Sequence, residues 1–255
     1  MKNWIGFLTL LRREVGRTKR VIGQAVIAPL VTASLYIFVF GFVIGPRIAL
    51  IDGISYIAFV FPGVVGMNLI LSVFSATSFS AFFMKFQKTI EDLLTLPISY
   101  TELVFSLIAS GIFRAFVITF SLAFVAFLFG VATVAHPLAL LLYVLLIGLF
   151  FGLLGIVVGV WADNSFEKIG LATNFILTPL TFLGGAFYSL HMLPERLQFL
   201  VHINPVFYVI DGIRYSLIGY HESSLLLGIG ILTLLSFGTL LLCVWIFRTG
   251  WKLRA

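Results

Sequence analysis

Charge is scarce in this sequence. Asp, Glu, Lys and Arg together make up 10% of its 255 residues, where soluble domains carry about 25%. A chain this poor in charge cannot coat a globule with solvated side chains, which excludes a soluble enzyme and an ordinary DNA-binding domain. Cysteine is scarcer still. Cys243 stands alone, so no disulfide can form within one chain and the redox compartment stays open. The four histidines, His136, His191, His202 and His221, show neither HExxH nor clustered-ligand spacing, so isolated interfacial histidines are expected and no metal site. There is no GxSxG nucleophile turn and no G-x-x-x-x-G-K-[ST] phosphate loop. No catalytic residue and no bound cofactor are expected, and a membrane-embedded hydrolase lacks every constellation it needs. Any nucleotide that powers the protein belongs to another chain.

What the chain has in place of charge is apolar length. Hydrophobic residues make up 61% of it and the mean hydropathy is +1.15. Lipid must cover much of its surface, and one compact membrane domain is expected. Six runs approach or exceed the roughly 20 apolar residues a crossing needs: 22–45, 56–80, 103–130, 138–161, 169–188 and 224–247. The expected fold is an all-α membrane protein with six transmembrane helices. The stretch before Val21 is too charged for the h-region of a cleavable signal peptide.

The net charge of +6 does not point to nucleic acid, because the basic groups fall at membrane borders. Arg12, Arg13, Arg17, Lys19 and Arg20 precede the first run, and Arg248, Lys252 and Arg254 follow the last. If the N-terminus is inside, the cytoplasmic segments hold all of these with Lys2, Lys85, Lys88 and Lys168. Only Arg47, Arg196 and Arg214 fall outside. That asymmetry predicts a multi-pass inner-membrane protein with both termini in the cytoplasm.

Three segments are not simple spans. Residues 1–21 read as an interfacial helix, with Trp4, Leu8, Leu11 and Val15 on one face and the arginines largely elsewhere. The segment about 84–96 reads as a short amphipathic helix. Phe86, Ile90, Leu93 and Leu94 share one face, Lys88, Glu91, Asp92 and Thr95 another, and Pro97 ends the pattern. Residues about 189–222 are too polar for an uninterrupted span and too apolar for a loop. Pro194 and Asn204-Pro205 each stand where a short helix begins, which predicts two half-helices dipping into the outer leaflet. Within the second, Asp211 and Arg214 are spaced for a local ion pair.

Polar residues inside the spans form patterns. Asn68, Ser72 and Ser75 make a stripe on the second span, and Asn174, Thr178 and Thr181 repeat that spacing on the fifth. Such stripes either border a substrate path or hydrogen-bond between helices. Gly148, Gly152, Gly155 and Gly159 form a small-residue seam suited to close helix packing. Arg114 lies within the third span, where its long stem can snorkel towards the cytoplasm. A role in bundle structure or conformational coupling is set ahead of substrate contact.

KFQKTIEDLLTLPIS (Lys85 to Ser99), NFILTPLTFLGGAFYSLHMLP (Asn174 to Pro194) and HINPVFYVIDGIRYSLIG (His202 to Gly219) resemble segments of ABC-2 type transporter permeases of the bacterial inner membrane. The resemblance covers essentially the whole chain. It implies the ABC-2, or type V exporter, fold: an elbow helix over residues 1–21, then a transmembrane domain over 22–255. That domain would carry a cytoplasmic coupling helix at about 84–96 and re-entrant exit helices at about 189–222. It further implies a half-transporter in which a second copy of the chain pairs with the first. A separate cytoplasmic ABC ATPase would hold ATP and Mg and dock on Phe86, Gln87, Lys88, Ile90, Glu91, Asp92 and Leu93. The path would run along the dimer interface, bordered by both polar stripes and closed outside by the segment with Pro194, Asn204, Pro205, Asp211 and Arg214. The expected cargo is an amphipathic, lipid-like, drug or glycan substrate. The alternative from another class is a non-transporting membrane scaffold or assembly factor that binds a cytoplasmic partner.

Overall fold

The computed structural model describes the chain except residues 1–3, 21, 49, 91–92, 94–97, 132, 163–164 and 254–255. The described residues are helical with short connections; they hold one isolated bridge, Ile51 to Ile54, and no strand. The helices in order are α1 (Trp4–Arg20), α2 (Ile22–Tyr36, running on as a π-helix over Ile37–Ile44), α3 (Tyr56–Phe86), α4 (Tyr100–Leu128) and α5 (Pro137–Trp161). There follow α6 (Glu167–Ala172), a π-turn (Thr173–Leu177), α7 (Thr178–Leu183), α8 (Glu195–Ile203), α9 (Pro205–Ile218) and α10 (Leu225–Thr249).

Among the described residues, five stretches are long and apolar enough to cross a membrane: Val26–Ile44, Tyr56–Phe86, Tyr100–Leu128, Pro137–Trp161 and Leu225–Thr249. The sixth expected span, 169–188, is a helix broken in three, with pieces of six, five and six residues over Glu167–Leu183.

Local chemistry sets the helix ends. Ser99 and Glu102 form a reciprocal capping box at the start of α4: Ser99 Oγ accepts from the Glu102 N–H and Glu102 Oε2 from the Ser99 N–H. This satisfies two of the N–H groups a helix start leaves unpaired. Gly219 closes α9 at φ +76°, a conformation that costs glycine little.

The core is built on α3, whose most apolar stretch is 72% buried. The expected glycine seam of α5 packs there: a Cβ on Gly155 or Gly159 would collide with the backbone at Phe74 or Ser78, and one on Gly148 with Ile112 of α4. On α9, Gly212 lies against the Tyr143 ring of α5. At one end of the bundle, here the proximal end, Leu10 clusters with Met84, Ile90, Leu103, Phe247 and Leu253. The beginning and end of the described chain therefore share that end. The distal end carries the 50–55 and 219–224 connections.

The inward face of α1 differs from the expected one. Leu10, Glu14 and Thr18 are buried, while Leu8, Leu11 and Val15 are half-buried; the Trp4 side chain lies outside the described residues. An acid belongs to the buried face because a guanidinium one turn on offsets the loss of its hydration.

Candidate functional site

A cleft of about 630 Å³ opens between α1, α3 and α4. Arg17 and Thr18 line it from α1, Ser75, Phe79, Ser80 and Phe83 from α3, and Ser110 and Arg114 from α4, with Gln87 at its proximal mouth. Arg17 bridges two walls. Its Nη2 donates to Oε2 of buried Glu14 at 2.6 Å and to the Ser80 hydroxyl. Burial raises the Glu14 carboxyl above its usual range, outweighing the pull of Arg17 and Arg13.

Arg114 forms the deep end. Arg114 and Ser72 each stand fourteen residues from the proximal ends of their helices, Tyr100 and Phe86. That is about 21 Å along a helix, mid-way through the bundle. The side chain does not snorkel as expected: Arg114 Nε donates to Ser72 Oγ at 2.7 Å, at its own level. This is its only hydrogen bond among the described residues, and none of their carboxylates lies within ion-pair distance. Ser75 also lines the cleft, whereas the Asn68 amide donates to the Val64 carbonyl of its own helix. The stripe on α3 thus splits: Ser75 lines the cleft, Ser72 is buried and holds Arg114 at its deep end, and Asn68 does neither.

The second stripe does not hold together. The π-turn at Thr173–Leu177 shifts the register, since a π-turn adds a residue to the helical turn. Asn174 is exposed, Thr178 half-buried and donating to the Thr173 carbonyl, and Thr181 buried and donating to Thr178. Both hydroxyls are satisfied within their own segment, and neither is brought to the cleft.

At the distal end a second polar group forms. Asn204 caps α9: its Oδ1 accepts from the Val206 N–H, and its Nδ2 donates to the Leu180 carbonyl at 2.7 Å, tying α9 to α7. Pro194 precedes α8 and Pro205 starts α9. Arg214 is fully buried, stacked on the Phe59 ring at 3.8 Å, and donates to the Phe59 and Gly185 carbonyls. The expected Asp211–Arg214 ion pair is replaced. Arg214 Nη1 faces Glu222 Oε2 at 3.7 Å, and Asp211 accepts from the backbone N–H groups of Glu222 and Ser223. Glu222, which no sequence pattern singled out, also accepts from the Ser189 hydroxyl and the Leu190 N–H. Its signal was faint: a lone acid just past the glycine that ends α9.

The expected amphipathic segment at 84–96 begins later than its pattern suggests. Met84, Lys85 and Phe86 complete α3, and Phe86 is exposed there instead of sharing a face with Ile90. Lys88, at φ +58°, turns the corner. Beyond it Ile90 and Leu93 are buried, leaving Gln87 and Lys88 exposed at the proximal end. Glu91 and Asp92 lie outside the described residues.

A family model for ABC-2 type transporters matches residues 6–218. The chain belongs to the ABC-2 type transporter family. The matched part of this ABC-2 chain holds the whole cleft and both short helices α8 and α9, and stops just before Glu222. The inner membrane transport permease YadH of Escherichia coli (strain K12) is 32% identical over 252 residues, 99% of this chain and 98% of that one. Nodulation protein J is 28% identical in Rhizobium meliloti (strain 1021), over 85% of this chain and 82% of that one. The Rhizobium leguminosarum bv. viciae protein of the same name is also 28% identical, over 90% and 88%.

Proposed function

We propose that this chain is the membrane permease subunit of an ATP-binding-cassette exporter in the bacterial inner membrane. In this reading it pairs with a second copy of itself, and a separate ATPase that binds ATP and Mg drives it. The observation that carries the reading is similarity along 99% of the chain to a protein named a transport permease, in a sequence with no phosphate-binding loop of its own.

Several features support the parts of this reading. The broken segment Glu167–Leu183 serves as the sixth crossing, which agrees with Leu10 and Leu253 meeting at one end of the bundle. The Lys and Arg asymmetry makes that end cytoplasmic. The corner at Lys88, with Ile90 and Leu93 anchored in the core, holds Gln87 and Lys88 at the cytoplasmic surface as part of a coupling element. The helices α8 and α9, of nine and fourteen residues, are too short to span and serve as re-entrant exit helices. Exposed apolar side chains on α2 and the π-turn, among them Val31, Phe38 and Phe175, suit lipid or the second copy. The cargo class is amphipathic, lipid-like, drug or glycan.

Co-purification with the cognate ATPase tests the reading. The chain is expected to retain that ATPase, and the double variant Glu91→Lys, Asp92→Lys to retain much less. Failure of the unaltered chain to retain any Walker-motif protein overturns the exporter assignment.

A further inference from the structure

Of the three arginines with side-chain hydrogen-bond partners among the described residues, Arg17, Arg114 and Arg214, Arg114 is the least compensated. An arginine at mid-span costs about 2.5–3.5 kcal/mol on insertion scales, and ionisable groups there mark pathways and binding sites. Arg214 meets a carboxylate, two carbonyls and a ring, and Arg17 meets Glu14. Arg114 has one serine hydroxyl. Its terminal nitrogens are not sealed in protein, since the only fully buried side-chain nitrogen or oxygen without a hydrogen bond among the described residues is Arg214 Nη1. They belong to a guanidinium that lines the cleft.

The remaining lining narrows the ligand. Arg17, Ser75 and Arg114 offer donors from three helices, and Glu14 cancels about one of the two positive charges. Donors from several sides suit a tetrahedral anion better than a planar carboxylate, and guanidinium forks match phosphate oxygens. The other wall is aromatic: Phe79 and Phe83 stack with ring centroids 6.4 Å apart, and both are exposed, as is Phe86 below them. This row runs from the cytoplasmic mouth alongside the polar wall. The volume, about 630 Å³, falls in the usual range for ligand sites, about 300–1,000 Å³.

We propose that this cleft binds the phosphate headgroup of a membrane amphiphile, with Arg114 as its principal contact, Arg17 and Ser75 as supporting donors, and the acyl chain along Phe79 and Phe83. The proposal deepens the permease reading by naming the chemistry its inner-leaflet site takes. It is tested without the ATPase, so either one stands if the other fails.

The experiment measures binding to the purified full chain in neutral maltoside micelles. The probes are didecanoyl phosphatidic acid, didecanoyl glycerol with the same chains and no phosphate, and inorganic phosphate. Phosphatidic acid is expected to bind about tenfold or more tightly than the neutral lipid, and inorganic phosphate not to displace it. Arg114→Gln, which keeps a donor for Ser72, is expected to lose about tenfold or more, and Arg114→Lys, which keeps the charge and loses the fork, to lose less than Arg114→Gln. Ser75→Leu narrows the cleft without touching Arg114 and is expected to weaken binding as well, which keeps the test decisive if Arg114→Gln does not fold. Equal binding of the neutral lipid overturns the headgroup assignment. Displacement by equimolar inorganic phosphate overturns the amphiphile. Unchanged affinity in a folded Arg114→Gln, or in Ser75→Leu, overturns the site.

Discussion

Arg214 and Glu222 meet at the distal end with 3.7 Å between Nη1 and Oε2, and neither side chain has any exposure. Glu222 is the only carboxylate among the described residues within ion-pair distance of this guanidinium. Removing one partner of such a pair leaves an uncompensated buried charge, which costs about 3–5 kcal/mol. Glu222→Ala is therefore expected to lower thermal stability in detergent by that order, and Asp52→Ala, which removes only a partner of the Tyr220 hydroxyl, by much less. Equal effects would show that the pair does not hold the distal end.

The seam between α5 and α3 leaves no room for a side chain at Gly155, where a Cβ would meet the Thr77 hydroxyl and the Phe74 carbonyl. Overpacking of this kind costs about 1–3 kcal/mol. Gly155→Val is expected to unfold at lower temperature than the parent. Gly230→Ala, at an open position on α10, is the matched control and is expected to change little.

Asn204 both caps α9 and reaches the Leu180 carbonyl. Asn204→Ala is expected to cost about 0.5–2 kcal/mol from the cap, with a further loss from the carbonyl left without its donor. Asn204→Asp keeps the cap acceptor and loses the donor, so its stability is expected to fall between the two. A thermal melt of the three proteins separates these terms.

Glu14 links pH to the packing of α1. Burial raises its carboxyl above the usual carboxylate range, so the folded protein holds this proton more tightly than the unfolded chain. Its contribution is greatest below the unfolded value and falls as pH rises through the folded one. Glu14→Gln is expected to remove that decline. Melting temperature followed from about pH 4 to 8 in both proteins checks it, and identical slopes would contradict it.

Much of the architecture was legible because hydropathy and glycine spacing respond to lipid and to close packing directly. Five long apolar helices, the small-residue seam and the proline-started short helices follow from local physics. The polar side chains were harder to place, because their partners lie far along the chain. Arg214 chose Glu222 over Asp211, since a turn after Gly219 brings the later acid back over α9. The stripe at Asn174, Thr178 and Thr181 broke because a π-turn, which no spacing rule announces, shifted its register. Glu14 sat in plain view among arginines, yet its burial depends on Ser80 of α3 closing over Arg17, a contact 63 residues apart.

We propose that this chain forms the membrane part of a transporter and that nucleotide is hydrolysed on another chain. The direct measurement is ATP hydrolysis by the purified chain in liposomes, first alone and then after assembly with its cognate ATPase. No hydrolysis is expected from the chain alone, and activity is expected to appear with the ATPase and to follow Mg. Robust hydrolysis by the pure chain would contradict it.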